Sequence, residues 1–166
     1  SDLGLSTTQL AVLTTTLVAG FTATQIGAMS TTQAKAFTAT LVQALTTVNV
    51  AGFTTTQLAA MTLTQVAAFE SADFAALSTT QLTALTTSQI GVLTATQTAA
   101  FTSTQFDALS TTQIGSLSTA GISGLTTAEV SGLTTTQLAA LTSTQVSALT
   151  AAQIAILATS HVSALT

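Results

Sequence analysis

Residues 133–150 read LTTTQLAALTSTQVSALT. An eight-residue phrase, Leu133 to Ala140, is followed at once by a near copy, Leu141 to Ala148. Eight is neither a coiled-coil period nor a common solenoid period. Set from Leu5, the frame runs through twenty octads to Ala164 without insertion or deletion, and Leu165-Thr166 opens another. Position 1 is always Leu, Phe or Met. Position 2 is Ser or Thr in 18 of 20 octads, the exceptions being Glu70 and Ala158. Position 5 is Gln in 13 of 20, and position 6 is apolar everywhere except Thr98. Position 8 is small in most octads.

A single long helix does not fit this pattern. Eight residues at 3.6 per turn move the apolar stripe by ~80° per octad, so no face stays apolar. A β-strand suits Thr, Val and Ile better, but positions 1 and 6 have opposite parity and would point to opposite faces. A third reading explains every constant position. The position-2 Ser/Thr is a helix N-cap and the position-5 Gln is N3, which completes the capping box Ser/Thr-x-x-Gln. Positions 1 and 6 are then N′ and N4, the two halves of a hydrophobic staple. Leu109-Ser110-Thr111-Thr112-Gln113-Ile114 is a complete helix-start signal, and each octad restarts a helix.

So short a helix is marginal alone and must stack on its neighbours. The predicted fold is an all-α repeat, a solenoid of very short capped helices. The alternative is a β-solenoid. Residues 1–4 form a lead-in, and 5–166 form one solenoid. Phe21, Phe37, Phe53, Phe69 and Phe101 all fall in odd-numbered octads, whereas Met29 and Met61 fall in even ones. That parity predicts two octads, 16 residues, per coil, with the Phe residues in one column. Ten such coils at ~8–10 Å per packed helix give a rod of ~80–100 Å.

Composition limits the function. Only Asp2, Lys35, Glu70, Asp73, Asp107 and Glu129 carry formal charge, and the net charge is −4. One Lys and no Arg exclude an electrostatic nucleic-acid partner and a polybasic membrane binder. No apolar run approaches the ~18 residues of a membrane span. There is no Cys, so disulfides and thiolate metal sites are excluded.

No residue is assigned a catalytic, cofactor-binding or metal-binding role. His161 stands at position 5 and reads as a variant N3 residue in a degenerate last octad. Glu70 and Asp73 read as the cap and N3 of one helix, where acids are favoured, and Glu129 as the acidic form of the same N3 position. Gly20, Gly52, Gly124 and Gly132 take position 8, where they read as close packing or helix ends. No Ser has a His and an acid placed to form a triad. Positions 3 and 4 would stack into rows of hydroxyls, as at Thr7, Thr15, Thr31, Thr47, Thr55 and Thr79.

The phrases Leu77-Ser78-Thr79-Thr80-Gln81-Leu82 and Leu133-Thr134-Thr135-Thr136-Gln137-Leu138 resemble the Thr/Gln-rich tandem repeats of very long bacterial exported and surface proteins. Some of those carry adhesin or haem-utilisation labels. The resemblance covers the chain from Leu5 and implies an extracellular or cell-surface, structural or adhesive role, as in a biofilm. It transfers no functional residue, and no cofactor is expected. The expected function is a non-enzymatic building block of an extracellular filament or stalk. Its expected partners are further copies, head to tail and laterally, and surface carbohydrate or O-glycans. The alternative is a Thr-rich binding surface, adhesive or ice-binding. With no polar capping repeat at either end, each end is expected to abut more of the same solenoid.

Overall fold

In the computed structural model, the backbone is described for residues 4–162 and the side chains for residues 4–159. Nineteen short helices, α1 (Thr7–Ala11) to α19 (Ala151–Val162), follow one another, and no strand occurs among the described residues. The β-solenoid alternative is thereby set aside.

The helix-start signal works as the spacing requires. In α11 (Thr87–Gly91) the N-cap Thr86 has extended φ/ψ of −69°, 160°, and its hydroxyl accepts from the Gln89 backbone N–H at 3.3 Å. The Gln89 carboxamide oxygen accepts from the Thr86 backbone N–H at 2.8 Å. Both halves of this box recur wherever Gln holds position 5, from Gln9 through Gln153. After four to six helical residues the chain reaches the next position 1 and position 2, whose extended conformation turns the corner.

Each helix packs on the helix three places along the chain: α1 on α4 (Thr31–Lys35), α2 (Thr15–Ala19) on α5 (Ala39–Gln43), α3 (Ala23–Gly27) on α6 (Thr47–Ala51), and so on to α16 (Thr127–Gly132) on α19. The coil is therefore three octads, 24 residues, and not the two inferred from Phe parity. A five-residue helix is only ~7–8 Å long. Two such helices back to back would leave their position-1 side chains open at the sides, whereas three enclose them. Nineteen helices at three per coil make just over six coils, ~50–65 Å at the same packing distance, shorter than the ten-coil rod expected.

The Phe spacing has a different cause. Phe53 and Phe69 open the first and third octads of one coil and meet edge to face across its interior, centroids 6.2 Å apart. Phe69 continues to Phe74 at 6.1 Å and Phe74 to Phe101 at 5.9 Å. The aromatic residues cross the interior and do not form a column on one side.

Position 1 and position 6 make the core. Leu58, Val66, Phe74, Leu82, Ile90, Phe106, Ile114, Ile122 and Val130, all at position 6, are fully buried. Position 6 faces the following coil and position 5 faces the preceding one. Gln9, Leu17 and Gln25 of the first coil are accordingly exposed, while the position-5 Gln residues of later coils are buried.

The last octad departs from the expected frame. Ala158 replaces the capping hydroxyl, and without it no helix restarts: α19 runs twelve residues from Ala151 through the 157–162 segment. His161 thus lies in the last turn of a longer helix and is not the N3 residue of a new one. Its side chain, and residues 1–3 and 163–166, lie outside the described residues.

Candidate functional site

The position-5 Gln does more than close the capping box. Its amide nitrogen is a second arm, pointed at the coil below. Gln105 Nε2 donates to the Phe74 carbonyl at 2.8 Å and to the Leu77 carbonyl at 2.6 Å. Gln89 Nε2 donates to Leu58 and Met61, both at 2.8 Å. Gln65 reaches Ala34 at 2.9 Å and Phe37 at 2.8 Å, and Gln153 reaches Ile122 at 3.0 Å and Leu125 at 2.7 Å. The acceptor 28 residues back is always position 1 of the octad beneath, and the one 31 residues back is position 6 of the octad before that. These carbonyls flank a corner: the position-6 carbonyl also accepts from the next position-1 N–H, as Phe74 does from Leu77 at 3.3 Å, and the Gln amide adds a second donor there and one for the position-1 carbonyl. One side chain therefore finishes the start of its own helix and the end of a helix one coil away. A Glu would close the capping box equally well, but only an amide also donates.

Where the Gln is missing, the local sequence adapts. Asn49 donates to the Phe21 carbonyl, again 28 residues back. At Gly121 there is no side chain, and the cap hydroxyl of Ser118 donates to Leu93 at 3.1 Å while accepting from the Gly121 N–H at 3.0 Å. Both octads carry Gly at position 8 and lie above an octad with Ala at position 3. A Cβ on Gly52 would fall 2.4 Å from the Ala23 carbonyl oxygen. One on Gly124 would fall 2.2 Å from that of Ala95 and 2.6 Å from Thr98 Oγ1. Thr98, the single polar residue at position 6, is fully buried, and its hydroxyl donates to the Gly121 carbonyl at 2.8 Å. Short N3 residues thus bring the backbones together, and Gly at position 8 makes the room.

Two acids occupy the ladder. Asp73 is buried and accepts from the Glu70 N–H at 2.9 Å. Burial raises its pKa from 3.8 to about 6; the Glu70 backbone hydrogen bond opposes the rise, and the Glu70 charge adds to it. Glu129 is buried too, with Oε2 accepting from the Thr126 N–H at 2.6 Å and hydroxyl at 2.9 Å. Its Oε1 is buried without a hydrogen-bond partner. Burial first and the nearby Asp107 charge second push its pKa up, against the two Thr126 hydrogen bonds. Glu70 is the N-cap residue of α9 (Ser71–Ala76), as read from the sequence.

The predicted hydroxyl rows are sorted by the three-sided coil. Thr7, Thr31, Thr55 and Thr79 share one side, continued by Ser103 and Thr127. Thr15 and Thr47 lie on the other two. On the first side position 4 adds Thr8, Thr32, Thr56, Thr80 and Thr104, all exposed, so a double row runs unbroken through five coils. Ala39 and Leu63 interrupt the second side, and Val48, Ala72 and Ala95 the third.

No group of three or more His, Cys, Asp or Glu able to hold a metal occurs among the described residues. A shallow groove lined by Gln43, Phe69, Glu70, Ser71, Thr94 and Gln97 gathers polar groups, but the Gln97 amide there is already given to the Ala67 and Phe69 carbonyls. No helix among the described residues is long and apolar enough to cross a membrane.

The chain is a tandem-repeat protein. The ALTTAQ repeat family matches residues 66–103 and again 99–135. No curated protein and no solved structure matches the chain.

Sequence reasoning found one arm of the Gln and missed the other. The signal lay in residue choice. A capping box accepts Glu or Gln at N3, yet position 5 holds thirteen Gln and a single Glu.

Proposed function

We propose that this chain is a non-enzymatic structural protein, a building block of an extracellular filament or stalk in which coil follows coil head to tail. One observation supports it above others: every coil offers the next the same template. Position-6 side chains that are fully buried inside the array are half-exposed in its last layer, with Val146 at 46% and Ile154 at 51%. A layer of that kind is an aggregation hazard unless more coil covers it. The near-absence of charge supports the same reading, because adjoining copies do not repel. The extracellular setting rests on the resemblance to exported repeat proteins. Negative-stain microscopy of the protein at high concentration tests the proposal. Fibres are expected, and Ile154→Lys should shorten them while the central coils stay folded. Monodisperse short rods at every concentration would count against it.

A second reading, a Thr-rich surface for carbohydrate or ice, is favoured by the unbroken double row from Thr7 to Thr104. Thermal hysteresis and ice-recrystallisation assays test the ice form, and inactivity at ~1 mM protein removes it.

A further inference from the structure

We propose that Glu129 is a proton-operated rung of the amide ladder: as a carboxylic acid its Oε1–H donates to the Phe101 carbonyl, and its ionisation removes that donor and loosens α16 from the coil beneath. The seam lies between α13 (Ser103–Asp107) below and α19 above, inside the array, so the proposal stands apart from the filament reading.

Glu129 holds position 5, where most octads place Gln. Its Oε2 takes the part of the Gln carboxamide oxygen, accepting from the Thr126 N–H at 2.6 Å. Oε1 therefore stands in the place of the amide nitrogen, the arm that reaches the coil below. In Gln105 and Gln113 that arm donates to the position-1 carbonyl 28 residues back, at 2.6 and 2.9 Å. The same step from Glu129 leads to Phe101, at the corner between α12 (Ala95–Thr98) and α13, on which α16 packs. No donor reaches the Phe101 carbonyl among the described residues, whereas the Thr98 carbonyl already accepts from the Phe101 N–H at 3.1 Å. Glu129 Oε1 is likewise without a partner, in a side chain only 2% exposed. Two unpaired oxygens, one carboxyl and one carbonyl, thus share a corner, and a single proton between them satisfies both. No Lys or Arg offers an alternative: Lys35, the sole one, lies on α4, four coils below. Asp107 on α13 brings a like charge. Neither α12, α15 (Thr119–Gly124) nor α17 (Thr135–Ala139) carries a titratable residue, and α19 carries only His161, whose side chain lies outside the described residues. Burial of the carboxyl acts in the same sense, raising its pKa. Once ionised, the buried carboxylate faces a carbonyl oxygen with no counter-charge, an arrangement that favours separation of the two coils.

The test reads both ends of the bond by NMR. Glu70 and Glu129 are the only Glu residues, so labelling Glu carboxyl carbons gives two resonances, and the one lost in Glu129→Gln belongs to Glu129. That variant restores the consensus residue and should fold. In the wild type the Glu129 carboxyl should titrate above its ordinary value of 4.5, and the Phe101 backbone carbonyl resonance should move with the same midpoint. The Leu77 carbonyl, served by the Gln105 amide, should not follow it. In Glu129→Gln the Phe101 resonance should stay at its low-pH position throughout. Hydrogen exchange of the Phe101 and Val130 amides, compared between wild type and Glu129→Gln at the same pH, should match at pH 4 and be about tenfold or more faster in the wild type at pH 8. A Glu129 midpoint at or below 4.5, or a Phe101 resonance that ignores the Glu129 titration or moves equally in Glu129→Gln, would overturn the proton-donating rung. Equal exchange at pH 8 would overturn the loosening.

Discussion

The Gln105 side-chain amide and the Leu77 carbonyl, 28 residues apart, meet at 2.6 Å. The contact is buried, and the same amide also serves the Phe74 carbonyl at 2.8 Å. Backbone carbonyls left at the corner of so short a helix have no water to turn to in the middle of the stack. The ladder supplies their partner wherever an amide holds position 5 above them, and does so from the residue that starts the helix above.

Gln105→Leu should therefore cost far more than Gln9→Leu. At Gln105 the capping-box bond and both downward bonds are lost, leaving the buried Leu77 carbonyl unpaired, about 1–3 kcal/mol, and the Phe74 carbonyl with only its bond from the Leu77 N–H. At Gln9 only the exposed capping-box bond to Ser6 is lost, about 0.5–1 kcal/mol. Urea unfolding of the two variants measures the difference. Equal effects would show that the downward arm contributes nothing.

The helix restarts were legible in the sequence because capping chemistry is local: cap, N3 and staple lie within six residues. Coil size was not. The octad repeats identically whether two or three of them close a turn, and Phe53 and Phe69 share parity under either arrangement. What closes the turn at three is the enclosure of position-1 side chains, a property of the assembled interior. The downward arm of Gln105 was hidden for the same reason, since its acceptors are defined only once the coil length is known. Thr98 is the one exception at position 6, and Gly121 lacks the position-5 side chain. They prove to be partners, one carbonyl to one hydroxyl at 2.8 Å.

Stability should fall as pH rises through the buried acids. Asp73 binds its proton more tightly folded than unfolded, with a pKa of about 6 against 3.8. The folded state thus holds more protons between those values, and its advantage, full below the lower one, is lost as pH climbs through the upper. The shift corresponds to roughly 2–3 kcal/mol. Glu129 acts in the same direction from its own ordinary value of 4.5. Chemical denaturation from pH 3 to 8 should show that decline. Asp73→Asn with Glu129→Gln should flatten it, and Glu129→Gln alone should stabilise the protein at pH 8. A flat wild-type profile, or one rising with pH, would contradict this.

Position 8 should discriminate sharply between glycines. Gly124→Ala places a methyl 2.2 Å from the Ala95 carbonyl oxygen and 2.5 Å from its Cα, both backbone atoms. The coils must separate, and the Thr98–Gly121 bond goes with them, so a loss of ~2–4 kcal/mol is expected. Gly20→Ala meets nothing nearer than 3.4 Å, at a helical φ of −79°. There the reduced freedom of the unfolded chain should stabilise by ~0.4–1 kcal/mol. Thermal melts of the two variants should move in opposite directions.

Ala158 decides where the last helix ends. In eighteen octads a Ser or Thr at position 2 stops the incoming chain in extended conformation and caps the outgoing helix. Ala can accept no hydrogen bond from N3, and α19 runs through the junction to Val162. Ala158→Thr with His161→Gln rebuilds the consensus phrase, with a capping hydroxyl at position 2 and a carboxamide at position 5. The rebuilt cap and box favour extended backbone at position 2 by about 1 kcal/mol or more. The helix should then stop near Ile156 and restart at Thr159, turning the corner onto α17 (Thr135–Ala139). That places the introduced carboxamide above Leu133, 28 residues back, and covers Leu138, which is only partly buried in the wild type. NMR secondary shifts should turn from helical to extended at positions 1 and 2 of this octad, and the Leu138 amide should gain hydrogen-exchange protection. If residues 151–162 stay one helix in the double variant, the capping hydroxyl does not set the corner.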